Sequence, residues 1–179
     1  DLTSGVVTAF GATGPLAASV QAYRPRAGQL QMATAVAQVM ETGGMLVVEA
    51  GTGVGKTFAY LVPALLSGQR VLVSTATKAL QDQLFGRDIP HLRRLLGQSV
   101  RVALLKGRSS YLCLNRMESA RQDGRLDERQ ALLHLVRIEN WAHSTQTGDL
   151  AEVDALDEAS PLMPLVTSTR ENCLGARCP

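Results

Sequence analysis

The chain has 179 residues, 45% of them apolar and 19% charged, with a net charge of +2. That composition excludes global disorder and fits a globular domain with a core, and the charge excess is too small to predict a nucleic-acid partner by itself. No run approaches the roughly 18 to 20 apolar residues of a membrane span, and no basic start precedes an apolar signal core, so a cytoplasmic protein is expected.

Residues 1–15 are rich in Gly, Thr and Ala without a helical or alternating period, which predicts a loose leader ending near Gly14-Pro15. Residues 29–41 place Leu30, Ala33, Ala37 and Met40 at helical spacing, and Gly43-Gly44 ends that helix. Residues 45–49 form a short apolar run of the kind that makes a buried parallel strand, and 70–74 and 100–105 repeat it. Helical patterns at 56–66, 78–85 and 89–96 separate these runs. The alternation predicts a doubly wound α/β fold, a parallel sheet with helices on both faces, over residues 16–105. From 106 to 179 the pattern changes to amphipathic helices at 112–121 and 128–143 and an acidic loop at 148–160, which reads as a separate helical insert.

Residues 50–57 read AGTGVGKT, a P-loop pattern with Ala50 in place of the first glycine, set between a predicted strand and a predicted helix. In such a loop the backbone from Ala50 through Gly51, Thr52, Gly53, Val54 and Gly55 turns its N–H groups toward phosphate oxygens, and the helix that follows adds its positive end. Lys56 is expected to reach the β- and γ-phosphates, and Thr57 to offer its hydroxyl to Mg²⁺. A glycine-rich turn with an incidental lysine is the bland alternative, and the flanking elements weigh against it.

Cys113, Cys173 and Cys178 are odd in number, and one distant cysteine with a C-x4-C pair is compatible with spare thiols, a zinc site or an iron–sulfur site. His91, His134 and His143 lack metal-ligand spacing, and Trp141 reads as core.

The strings RPRAGQLQM, AGTGVGKT, STATKALQDQL, LKGRSSYLC and CLGARCP together resemble the bacterial DinG and YoaA-type DNA helicases, XPD-like members of superfamily two that carry an iron–sulfur cluster. The likeness runs from about Gly14 to the end of the chain. It implies a RecA-like motor fold with a helical iron–sulfur insert, ATP-driven unwinding with 5′ to 3′ polarity in DNA repair or replication, and single-stranded or forked DNA as partner. Residue by residue, Arg26, Gln29 and Met32 match the Q-motif that contacts adenine. Ser74, Thr75, Thr77 and Gln81 match motif Ia, which touches the DNA backbone, although capping of a helix by Thr75 or Thr77 is an equal reading. Lys106 and Arg108 fall near the expected DNA path. Cys113, Cys173 and Cys178 match three of four ligands of a [4Fe–4S] cluster.

The chain begins at Asp1 rather than Met, and the resemblance leads us to expect the fourth cysteine, the DEAH box and the second motor domain beyond Pro179. The string Asp157-Glu158-Ala159-Ser160 lacks both the preceding buried strand and the final His of that box, and reads as a solvated loop. Without those parts the chain alone is expected not to hydrolyse ATP. Two other functions compete: a different P-loop NTPase, against which STATKALQDQL argues, and a zinc or redox module with a vestigial nucleotide site.

Overall fold

The computed structural model describes residues 1–19, 24–122, 129–154, 156–157 and 159–178. It divides into a first unit, Asp1–Leu104, and a second, Leu105–Pro179.

The first unit opens with a helix where a loose leader was expected. In α1 (Leu2–Phe10) the Asp1 side chain caps the first turn by accepting from Ser4 N, and Val6, Ala9 and Phe10 are buried. Tertiary contacts supply what local propensity lacks: the Leu2 amide and the Thr3 hydroxyl donate to Glu41, at 2.6 and 2.9 Å, at the far end of α3 (Ala27–Thr42). Gly14 then makes the tight return into α2 (Pro15–Ser19), because a Cβ there would lie 2.2 Å from Thr8 O.

Gln29, Ala33 and Ala37 lie four residues apart and form the buried face of α3. Two alanines on that face let α4 (Lys56–Leu66) pack close, and α4 in turn buries Ala59, Leu61, Val62 and Leu65. The two helical pieces expected after residue 77 are one continuous path: α5 (Lys78–Gln83), a π-helical turn (Leu84–Asp88) and α6 (Ile89–Leu95). Leu84 and Leu92 anchor that path in the same core.

The predicted parallel sheet is not formed among the described residues. Segments 45–49, 70–74 and 100–105 carry no ladder, and the one β-bridge joins Tyr111 to Asp149. Their side chains still alternate as a strand's do: Met45, Val47 and Leu72 are 90, 89 and 93% exposed, whereas Leu46, Val48, Val71 and Val73 are 37–42% exposed. A parallel sheet needs a neighbour for every strand and cover on both faces. Here the outer apolar face is bare, so the strand pattern in the sequence reports extended backbone without its pairing.

In the second unit α7 (Leu114–Gln122), α8 (Arg129–Ala142) and α9 (Met163–Val166) surround a separate core of Leu135, Ile138, Leu150, Val153, Leu162 and Val166, with Trp141 packed against it. The acidic loop contributes to this core through Leu150 and Val153. Its Asp157 is exposed and accepts from Ala159 N at 2.9 Å, a local turn; Glu158 lies outside the described residues.

Candidate functional site

Where α3 begins and α4 begins, the Q-motif residues and the P-loop meet. Gly55 is the N-cap of α4 with φ of 91°, and Gly53 has φ of 78°, so both occupy the left-handed region that favours glycine. Gly55 is required for a second reason. The buried Gln29 donates Nε2 to Gly55 O at 2.9 Å, and a Cβ on Gly55 would sit 2.1 Å from that nitrogen. Arg26 donates to Gly53 O. Two of the three residues matched to adenine contact, Arg26 and Gln29, therefore also clamp the loop's carbonyls, which orients its amides.

Lys56 Nζ donates to Ala50 O and Gly51 O, each at 2.8 Å, so the ammonium is held inside the arc of the loop. Thr57, on the first turn of α4, hydrogen-bonds Tyr60. Burial raises the Tyr60 phenol above its usual range and the charge of Asp88 adds to this, while the Thr57 bond opposes both.

A cavity of about 1120 Å³ opens beside this corner, lined by Arg26, Gln29 and Thr57 from the corner itself and by Gln83, Arg87 and Asp88 from the path of α5 and the π-helical turn. The latter group was missed in the sequence, where 86–88 reads only as a break between helices. The available signal was the Gly86-Arg87-Asp88 run directly before Ile89-Pro90, charged residues set at a helix junction. His91, assigned no role, also lines this cavity, its ring 6.3 Å from that of Phe58.

In motif Ia, the Thr77 side chain caps α5 by accepting from Leu80 N at 3.3 Å, and Thr75 Oγ1 donates to Thr77 O at 3.3 Å. Ser74 and Thr77 are exposed, and Thr75 and Gln81 are half-buried. The other two basic residues expected on the DNA path belong to the second unit. Lys106 is buried, its ammonium 2.8 Å from Asp149 Oδ2, and its amide donates to the Tyr111 hydroxyl at 2.9 Å. Arg108 is exposed, donates to Thr169 O at 3.5 Å, and helps hold the Glu171 carboxyl below its usual range, after the larger effects of Thr169 and of the residue's own backbone.

Cys113 and Cys173 are half-buried and Cys178 is exposed, all as free thiols. The Gly175 amide donates to Cys173 Sγ at 3.4 Å. Among the described residues no three His, Cys, Asp or Glu side chains converge at metal-binding distance, so the three cysteines are not brought together. No helix among them is long and apolar enough to cross a membrane.

The model of the DEAD/DEAH box helicase family matches residues 29–153. The chain is 45% identical over 179 residues to the ATP-dependent DNA helicase YoaA of Haemophilus influenzae, covering 100% of this chain and 28% of that protein. It is 48% identical over 170 residues to YoaA of Escherichia coli, covering 95% of this chain and 27% of the relative. To the ATP-dependent helicase DinG of Mycobacterium tuberculosis it is 40% identical over 176 residues, covering 86% and 26%. The chain thus spans little more than a quarter of the length of these relatives. With a glycine-capped P-loop clamped by the start of α3, and a family match running from Gln29 through Val153, the chain belongs to the DEAD/DEAH box helicases.

Proposed function

We propose that this chain supplies the ATP-binding wall of an ATP-dependent DNA helicase that works 5′ to 3′ in DNA repair or replication. The observation that carries the reading is the P-loop corner, where Gly55 caps α4, Gln29 and Arg26 hold the loop's carbonyls and Lys56 lies within its arc. Backbone N–H groups from Ala50 to Gly55 receive the phosphates and Lys56 neutralises their outer charge. Thr57 orients its hydroxyl toward the Mg²⁺ that accompanies ATP. Gln29 keeps its amide oxygen for the amine of adenine while its nitrogen stays on Gly55.

On the DNA side, Ser74, Thr75, Thr77 and Gln81 offer hydroxyls and an amide to the phosphodiester backbone, with Arg108 as a solvated cation. The burial of Lys106 against Asp149 favours a structural use of that lysine over phosphate contact. Cys113, Cys173 and Cys178 are the residues that would hold a [4Fe–4S] cluster. Thiol donors suit iron–sulfur chemistry, and the amide already on Cys173 Sγ is the kind of hydrogen bond that stabilises a thiolate ligand. A bound cluster would cross-link the two ends of the insert. The chain's own residues prepare for this by tying Cys113 N to Val166 O at 2.8 Å and Cys173 N to Thr169 O at 3.1 Å.

In the full-length protein, Lys56→Ala is expected to lower ATP-driven unwinding by about 100-fold or more while leaving single-strand binding within about twofold, because the lysine acts on phosphate charge alone. Unwinding that survives the substitution would contradict the assignment.

A further inference from the structure

The cleft beside the P-loop contains one carboxylate that phosphate binding does not explain. Asp88 is 6% exposed and, among the described residues lining the cavity, is the only acidic one, beside Arg24, Arg26, Arg87 and Arg94. A buried carboxylate facing the triphosphate would repel it, so the group that meets Asp88 must be a hydrogen-bond donor.

The local backbone is built to hold this side chain. Gln83 Nε2 donates to Asp88 Oδ2 at 2.8 Å, and Arg87 Nε donates to Oδ1 at 3.0 Å. Residues five apart on an α-helix point about 140° away from each other, at 3.6 residues per turn. The wider π turn, with Ile89 N bonded to Leu84 O, brings Gln83 and Asp88 onto one side. Such turns are rare and recur at functional sites. With one donor on each oxygen, an ionised carboxylate retains capacity to accept two more. The same cavity is lined by Gln29 and Thr57, which the proposed function gives to the base and to the metal-bound phosphates. Between base and phosphates a nucleotide presents its ribose, whose donors are the 2′- and 3′-hydroxyls.

We propose that Asp88 reads the ribose of the bound nucleotide by accepting one or both of these hydroxyls, with Gln83 and Arg87 as positioning residues that fix its carboxylate. The proposal rests on the ATP reading of the P-loop. Carboxylate recognition of ribose hydroxyls is the solution used by dinucleotide folds, and a site built to bond a hydroxyl discriminates against the analogue lacking it.

The test is calorimetric titration of the full-length protein with ATP, 2′-deoxy-ATP, 3′-deoxy-ATP and inorganic tripolyphosphate. Wild type is expected to bind at least one deoxy analogue about 10-fold more weakly than ATP, the scale of one hydrogen bond to a charged group. In Asp88→Asn that ratio should shrink, and in Asp88→Ala it should fall to about one, with tripolyphosphate affinity unchanged in both. Equal binding of ATP and both deoxy analogues by wild type, which needs no variant to fold, overturns the proposal. So does a ratio that persists in Asp88→Asn, or a uniform loss across all four ligands in both variants, the signature of a purely structural residue. Lys56→Ala distinguishes the two levels of the reading. If it binds ATP as well as wild type does, the P-loop assignment falls and the ribose proposal with it; if it loses ATP while wild type ignores the ribose, only the ribose proposal falls.

Discussion

At the scale of single residues, the same side-chain type has been put to opposite uses. Lys56 is exposed, and two carbonyls hold it where an anion can replace them. Lys106 is buried against Asp149, beside the Tyr111 bridge that starts the second unit. Nothing in LKGRSSYLC distinguishes a solvent-facing lysine from an ion-paired one, because Asp149 is remote in sequence. The P-loop was legible for the contrary reason: its glycines, lysine and threonine act on one another within a single local turn. The Lys106–Asp149 pair makes a direct prediction. Asp149→Ala removes the carboxylate that lies 2.8 Å from a buried ammonium and should cost about 3–5 kcal/mol of stability, whereas replacing both partners by apolar residues of similar volume should recover most of it. Denaturant unfolding of the two variants checks this, and a single substitution that costs nothing would show the pair to be solvated.

At the scale of elements, α3 and α4 were readable from apolar spacing and glycine stops, and their observed faces follow it. Helix α1 was not readable, since Thr3, Gly5, Val6, Val7 and Thr8 are poor helix formers and its support comes from tertiary contacts, the burial of Val6, Ala9 and Phe10 and the bonds to Glu41. The Thr3 hydroxyl and then the Leu2 amide hold the Glu41 carboxyl below its usual range. A carboxyl depressed in the folded state contributes stability that is present above its unfolded value, near 4.5, and is lost as pH falls through the lower folded value. The amide protection of α1, taken relative to intrinsic exchange at each pH, should therefore fall below about pH 4 in wild type and be lowered already at neutral pH in Glu41→Ala. Protection of α1 that is the same at both pH values would remove Glu41 as its fastener. The π turn was illegible for a related reason, because it is identified by a bond between Ile89 and Leu84 rather than by residue type.

At the scale of the molecule, the sheet shows most clearly what a sequence pattern carries. Segments 45–49, 70–74 and 100–105 have the apolar runs of buried strands and keep strand-like alternation, but ladder formation depends on neighbours and on cover over Met45, Val47 and Leu72. The three cysteines obey the same rule: the family resemblance, rather than their spacing, suggested a shared site, and convergence is a property of tertiary structure that the described residues do not display.

The central claim is that nucleotide chemistry at the P-loop is coupled to DNA. It is tested most directly by the rate of ATP hydrolysis in the full-length protein with and without single-stranded DNA. DNA is expected to raise the rate by about 10-fold or more, and Lys56→Ala to abolish both the basal and the stimulated rate. A rate indifferent to DNA, or one that survives Lys56→Ala, would contradict it.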